Sequence, residues 1–273
     1  MTSVNTNYGA SIALQNLART TEQLEATQNR INTGLKVSSA KDNGAIFNIS
    51  QKMRGDVQSF GAVQRSLDRT LSVVDTAIAA GTNVSDLLRE MKEKALAARD
   101  TTIDATARRA YHEDFTALRN MITTTLTNAA FDGSNLANSA TNLSALANAA
   151  GTSFLTVTAR NMSLGGSIVT LASTASISTS TKATSALTAI ETSLNNLNLA
   201  LSQLGTDAKK VNLHKTFVNK LVDELNNGIG NLVDADLAKE SANLQALQTK
   251  QQLGVQALSI ANQAPQILMS LFR

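Results

Sequence analysis

The chain offers few residues whose type and spacing could do chemistry. Two histidines, His112 and His214, are the first candidates for proton transfer or metal binding. Tyr111-His112-Glu113-Asp114 sets acids beside an imidazole, but neighbours in sequence point to different sides of a helix, and ligands on one face are three or four residues apart. Asp234-Ala235-Asp236 has the opening spacing of a calcium loop but lacks the glycine and closing glutamate that such a loop requires. Two acids near the positive end of a helix account for it better. Gly205-Thr206-Asp207-Ala208-Lys209-Lys210 lacks the glycine spacing of a phosphate-binding loop. No Ser/His/Asp grouping is suggested by position. The absence of cysteine removes disulfides, thiolate metal sites and cysteine nucleophiles together. The expectation is a protein with no catalytic residue, no metal and no cofactor, and therefore not an enzyme.

With no site to position, the elements themselves become the subject. The 273 residues are 16% charged and 3% aromatic, with no Trp, which leaves few large side chains to fill a spherical core. Alanine, leucine and small polar residues suit narrow, close helix contacts instead. A net charge of +3, with no basic cluster interleaved with aromatics, argues against nucleic acid as a partner. The N-terminus lacks the basic and apolar segments of a secretory signal peptide, so an exported chain would need another machine.

The most unusual stretch is the end, Asp234 to Arg273. After Lys250 no charged side chain occurs until Arg273, and Pro265 is the only proline. Leu237, Leu244 and Leu258 share one seven-residue spacing, and Leu253, Ile260 and Ile267 share another, so two faces of one helix are apolar. Six amide side chains from Gln251 to Gln266 exclude membrane insertion, because each would cost free energy in hydrocarbon. A solvent-facing helix would carry charge on its outer side. The reading left is a helix surrounded by other helices.

Earlier elements follow the same rule. Leu17, Leu24 and Ile31 are seven apart, as are Leu14, Thr21, Gln28 and Leu35, and Gly34 ends this first helix. Ser39-Ala40-Lys41-Asp42 has the Ser-x-x-acid form of an N-cap and opens a long helix. Its heptads run from Ile46 through Met53, Phe60, Leu67, Val74, Gly81 and Leu88 to Ala95, with Ile49, Val63, Ala77, Val84, Met91 and Ala98 as companions. Eight heptads make a coiled-coil rod of roughly 80 Å. Asp104 caps a third helix lined by Tyr111, Phe115, Leu118, Ile122, Leu126 and Ala129, and Phe131-Asp132-Gly133-Ser134 turns the chain. Phe154–Thr158 and Ser167–Leu171 read as two strands of a hairpin with Gly165-Gly166 between them. Nine of the thirteen residues from Ser173 to Ser185 are Ser or Thr, which reads as an exposed connection. A second rod then runs from Ile190 through Leu197, Leu204, Val211, Val218 and Leu225 to Leu232, and Gly228 and Gly230 loosen the chain before the terminal stretch.

The layout is a near palindrome. The fold class expected is mainly α: a long antiparallel coiled-coil or helical-bundle rod, paired terminal helices at one pole, and a small β-hairpin region in the middle. The two long rods can satisfy each other. The last helix has two faces to bury and one N-terminal helix to bury them, so the second face needs another copy of the chain or a different partner.

Several separated motifs resemble bacterial flagellin. They are Val4-Asn5-Thr6-Asn7, the block from Gly34 to Ala45, Phe131 to Leu136, and the end from Asp234 through Gln251-Gln252 and Ala261-Asn262-Gln263-Ala264-Pro265 to Leu271-Phe272-Arg273. Together the resemblance covers about 1–136 and 184–273, and the short alanine- and serine-rich middle is similar to flagellins of the α-proteobacterial type. It implies a secreted, extracellular homopolymer: the flagellar filament subunit, exported unfolded through the type III apparatus. An export chaperone, the filament cap and hook-junction proteins are its implied partners. The alternative is a hook–filament junction adaptor. The implied division is an inner-core helix at 1–35, rod halves at 36–131 and 186–232, a variable hairpin region at 132–185, and a second inner-core helix at 233–273. The expected polymerisation interface is Leu14, Leu17, Leu24, Ile31 and Leu35 with Leu237, Leu244, Leu247, Gln251, Leu253, Leu258, Ile260, Ile267, Leu268 and Leu271. Gly34, Ser39, Lys41 and Asp42 form the loop and cap motif. Glu90 stands where the receptor-recognised stretch of many flagellins carries Arg.

Overall fold

The structure, a computed structural model, describes residues 6–270 along the backbone and side chains as far as Gln263. Among the described residues five helices and one hairpin follow in order: α1 (Tyr8–Thr33), α2 (Gly44–Arg99), α3 (Ala105–Asn128), β1 (Leu143–Leu146), β2 (Phe154–Val157), α4 (Ser180–Val233) and α5 (Leu237–Ser270). The mainly α architecture expected from the heptads is what the chain forms. Contacts divide it into two compact units, Asp56–Asp223 and the pair of end segments Met1–Gly55 with Glu224–Arg273.

In the unit of residues 56–223, α2 is wrapped on three sides. Gln64 donates to Asn219 at 2.8 Å, Lys92 pairs with Glu191 at 2.9 Å, and the Ser180 hydroxyl donates to the Arg99 carbonyl at 2.7 Å, so α4 runs antiparallel to α2. Lys94 meets Asp114 at 3.3 Å, which brings in α3, and Ser66 Oγ accepts from the Leu146 N–H at 3.0 Å, which brings in the hairpin. Heptad positions Leu67, Val74, Ala77, Val84, Leu88, Met91 and Ala95 are fully buried, as are Ile190, Leu197, Leu204, Val211 and Val218. Small residues permit this closeness: a Cβ on Gly81 would lie 2.7 Å from Leu201 Cδ2 and 3.1 Å from Met162 Sδ. Lys215 of α4 pairs with Asp68 of α2.

The third helix begins as its sequence indicates, with Asp104 Oδ1 accepting from the Ala107 N–H at 2.6 Å. Phe115 and Ile122 are fully buried. The turn after it has positive φ at both central residues, Asp132 at 48° and Gly133 at 74°, closed by Phe131 and Ser134 bonding to each other. Asp–Gly suits that geometry because short polar residues and glycine tolerate the left-handed region.

The hairpin differs from the sequence expectation. β2 pairs antiparallel with β1, in register Leu143↔Val157 to Leu146↔Phe154, and not with Ser167–Leu171. The loop explains the choice: Asn148 Oδ1 accepts from Thr152 and Ser153 N–H groups, and Gly151 takes φ 69°. The Thr170 and Leu171 N–H groups are committed elsewhere, to Ser193 Oγ on α4, and Val169 and Leu171 are buried. The Ser/Thr-rich segment is mostly exposed, as expected, and is a connection over 173–179, but from Ser180 it forms the first turns of α4. Thr184, Ser185 and Thr188 hydroxyls donate to carbonyls four residues back, which lets a hydroxyl-rich sequence stay helical.

The end-segment unit corrects two further expectations. Gly228 and Gly230 lie inside continuous α4 rather than in a joint, and Gly228 exists where a Cβ would meet Met53 Cε at 2.9 Å. Ile49, placed in the buried register by spacing, is 52% exposed, and Ser50 takes the buried place.

Candidate functional site: the paired terminal helices

The site is the antiparallel pair α1 and α5. Its pairing is set at both ends and in the middle. Arg30 meets Glu240 at 3.4 Å, Leu17 packs on Gly254 with Cδ1 3.2 Å from where a Cβ would stand, and the Asn7 amide donates to the Ala261 carbonyl at 2.7 Å. The last contact has a chemical reason. Pro265 has no N–H to give the carbonyl four residues earlier, so Ala261 would be left without a helical partner. Asn7 supplies the donor through Nδ2 while its Oδ1 caps α1 by accepting from Ala10 N at 3.0 Å. Spacing arguments missed this pair, although an N-cap residue and a single proline were both visible.

The least exposed positions of α5 are Glu240, Leu244, Leu247, Gln251, Gly254, Leu258 and Ala261, alternating by four and three. That is the seam of a two-helix coiled coil. On α1 the matching series is Ala10, Ala13, Leu17, Thr20, Leu24, Thr27 and Ile31. The expected Leu17–Leu24–Ile31 series is therefore in the seam. Of the expected companion series on the helix only Thr21 is half-buried: Leu14 is 58% exposed and Gln28 is exposed, and small or hydroxylated Ala13, Thr20 and Thr27 take those places. Leu35 lies past the helix, bridged to Asp234, where Gly34 at φ 71° has ended α1. Leu237, Leu253 and Ile260 are 50%, 58% and 68% exposed. Ile267, Leu268 and Leu271 lie outside the residues whose side chains are described.

The loop between α1 and α2 also departs from the N-cap expectation. Asn43, not Ser39, caps α2, with its Oδ1 accepting from Ile46 N at 3.1 Å. Asp42 Oδ2 instead gathers the N–H and hydroxyl groups of both Ser38 and Ser39, at 2.8–3.1 Å. These bonds, led by the Ser39 N–H and then the Ser38 hydroxyl, hold its carboxyl below the usual carboxylate value. Lys41 is exposed. The loop is tied to the end of α4 by Lys36 N donating to Val233 O at 2.8 Å and Lys36 Nζ to Asn231 O at 2.9 Å.

Neither histidine belongs to a metal or catalytic group. His112 Nδ1 accepts from Ile177 N at 3.4 Å and His214 Nε2 bonds the Ala147 carbonyl at 2.9 Å, so each ties a loop to a helix. Among the described residues no three metal-ligating side chains gather, and no helix is long and apolar enough to cross a membrane.

Long heptad helices, and a coiled coil made from the two ends of the chain, narrow the kinds of protein this can be. Residues 4–142 match the bacterial flagellin N-terminal helical region and residues 187–272 the bacterial flagellin C-terminal helical region. The chain belongs to the bacterial flagellin family. Flagellin FljM of Caulobacter vibrioides is 50% identical to it over 274 residues, covering 100% of this chain and 99% of that one. A flagellin of Brucella melitensis is 38% identical and covers both chains fully. This is thus a flagellin of the α-proteobacterial type, a structural subunit of the flagellar filament and not an enzyme. A putative flagellar hook-associated protein from Vibrio parahaemolyticus shares its fold at a TM-score of 0.57, with 11% identity, covering 71% of this chain and 100% of that one. Full-length identity to flagellins favours the filament subunit over the junction adaptor.

Proposed function

We propose that α1 and α5 are the surface through which copies of this flagellin polymerise, and that this pair is completed only in the filament. The observation that carries the reading is apolar exposure on a helix pair that is otherwise a regular coiled coil: Leu14, Leu253 and Ile260 are each more than half exposed. Fully burying a leucine or isoleucine is worth about 1.5–3 kcal/mol, and most of that remains ungained in a single chain. Leu17, Leu24, Ile31, Leu244, Leu247, Gln251 and Leu258 hold the two helices together, and Leu14, Leu237, Leu253 and Ile260 are left for neighbours.

On this reading residues 1–35 and 233–273 form an inner layer, 36–131 and 186–232 a rod layer, and 132–185 a thin surface region. The monomer travels unfolded through a type III export apparatus to the outside of the cell. An export chaperone, a filament cap and hook-junction proteins meet it on the way. Amide-rich, charge-poor α5 suits a wall past which unfolded chain must slide, because neither lipid-grade apolarity nor fixed charge would hold the passing segment. Deleting Gln252–Arg273 tests the reading. Filaments are abolished, by electron microscopy of protein seeded with filament fragments, while circular dichroism of the long helices persists. Polymerisation of the truncated chain would refute it.

A further inference from the structure

The two flanks of the α1–α5 seam are not alike. One carries a groove of about 290 Å³ floored by Ala26, Thr27, Ala246 and Leu247, with Arg30 and Lys250 on its edges. Heptad steps from Ala26 reach Arg19, and steps from Ala246 reach Lys239, Leu253 and Ile260 on the same flank. This flank therefore has four cations and a single carboxylate, Glu240. That carboxylate is turned inward: the residue is 9% exposed and one of its oxygens meets Arg30 at 3.4 Å. Glu240 thus lies in the seam, and among the described residues the cations Arg19, Lys239 and Lys250 are left unneutralised within the chain.

The opposite flank is complementary. Leu14, Thr21 and Gln28 share one heptad column there, Gln248 and Val255 another, and Glu25 is its one charge. Glu25 is exposed, and Leu14 and Val255 are 58% and 53% exposed. Among the described residues Glu25, Arg19, Lys239 and Lys250 have no ion-pair partner.

We propose that these two flanks are the two halves of one contact: the Leu14–Glu25 flank of one copy seats on the Ala26–Ala246 groove of the next. Two groove flanks cannot meet, because four cations would face four, and two Leu14–Glu25 flanks in contact would leave each Glu25 without a cation. Unlike flanks set Glu25 beside Arg30 and Lys250 and bring Leu14 and Val255 against Leu253 and Ile260. Two different patches in contact give a heterologous interface, which propagates instead of closing into a pair. This rests on the polymerisation reading above and adds its direction.

The chain has no cysteine, so cross-links report the contact without background. Glu25→Cys copies and Ala246→Cys copies are polymerised together and treated with a short bis-maleimide. Covalent dimers form in the mixed filaments and not in filaments of either variant alone, and a Glu25→Cys/Ala246→Cys chain gives a ladder of higher multimers. Dimers from one variant alone would show like flanks in contact and overturn the proposal, as would filaments that do not cross-link. Charge reversal gives a second reading that needs no cysteine. Glu25→Lys raises the critical concentration for elongation about tenfold, and Lys250→Glu in the same chain restores it. Normal elongation of Glu25→Lys would sink the flank assignment. If the Gln252–Arg273 deletion still abolishes filaments in that case, the polymerisation surface stands and only its direction is wrong.

Discussion

In residues 56–223 the heptad positions of α2 are closed on three sides, by α4, α3 and the hairpin, and a run of them from Leu67 to Ala98 has almost no solvent contact. The α1–α5 pair is written with the same spacing, yet among its described residues only Leu24, Thr27, Glu240 and Leu247 fall to 9% exposure or less. The difference is one of neighbours, not of pattern. A helix in a two-helix coil can bury one stripe, and α5 has two. One region is therefore closed within the single chain, and the other leaves apolar side chains such as Leu14, Leu253 and Ile260 uncovered.

The strongest way to break that contrast is to remove one leucine-sized side chain from each region. Leu88 is fully buried, so Leu88→Ala leaves a cavity and destabilises the monomer by about 2–5 kcal/mol in thermal or denaturant unfolding. Ile260 is 68% exposed, so Ile260→Ala changes monomer unfolding by no more than about 0.5 kcal/mol. Its effect shows instead as a raised critical concentration for filaments. Equal loss of monomer stability in both variants would mean that the terminal pair is already sealed in the single chain.

A smaller test adds one methyl group. Gly81→Ala puts Cβ 2.7 Å from Leu201 and 3.1 Å from Met162, which is fully buried and has little room to give. The gain in helix propensity, about 1 kcal/mol, is outweighed by overpacking of about 1–3 kcal/mol, and the monomer's Tm falls. Gly254→Ala meets only Leu17 Cδ1 at 3.2 Å, on a helix whose outer face is open. Here Leu17 yields by a few tenths of an ångström, propensity compensates, and monomer helicity by circular dichroism is unchanged or higher. A fall at Gly254 as large as at Gly81 would place a tight contact where the structure has a loose one.

How much of this was legible in the sequence follows the same division. Seven-residue spacing located the rods, their antiparallel pairing and most buried positions, because a repeat sustained over many turns leaves one buried stripe. It failed where the reason is not periodic. Seven-residue spacing puts Leu14 in the seam with Thr21, Gln28 and Leu35, yet the narrow seam of α1 takes Ala13, Thr20 and Thr27, since close helix approach rewards small side chains over large ones. Ser167–Leu171 has the composition of a strand, but its N–H groups find Ser193 on α4, a partner no local pattern shows. The Gly228–Gly230 joint failed for a similar reason: glycine there answers to Met53 and Asp234, not to a turn. Within the candidate site, the amide-rich, charge-free character of α5 was readable, and the bond from Asn7 to the carbonyl freed by Pro265 was not. Two residues 254 positions apart share that bond.

The smallest expected effect concerns one carboxylate in each region. Asp42 gathers the Ser38–Ser39 loop, and Asp100 at the α2–α3 turn accepts from the Thr102 N–H and hydroxyl at 2.8 Å. Both carboxyls are held below 3.8, in each case first by a backbone N–H, of Ser39 and of Thr102. A depressed folded value means that the stabilisation is fully present above the unfolded carboxylate range and is lost as pH falls through the lower, folded value. Asp42→Asn and Asp100→Asn therefore differ from the native chain at neutral pH, and each difference shrinks once pH drops below about 4. The two should separate by assay. Asp100→Asn shows its pH-dependent difference in unfolding of the monomer, since α2 and α3 are packed there. Asp42→Asn shows it in acid dissociation of filaments, because the loop it orders is bonded to Val233 and adjoins the helix pair proposed as the polymerisation surface. A monomer acid limb altered equally by both substitutions would show that the loop is as fully built into the single chain as the rod is, and would remove the contrast between the regions.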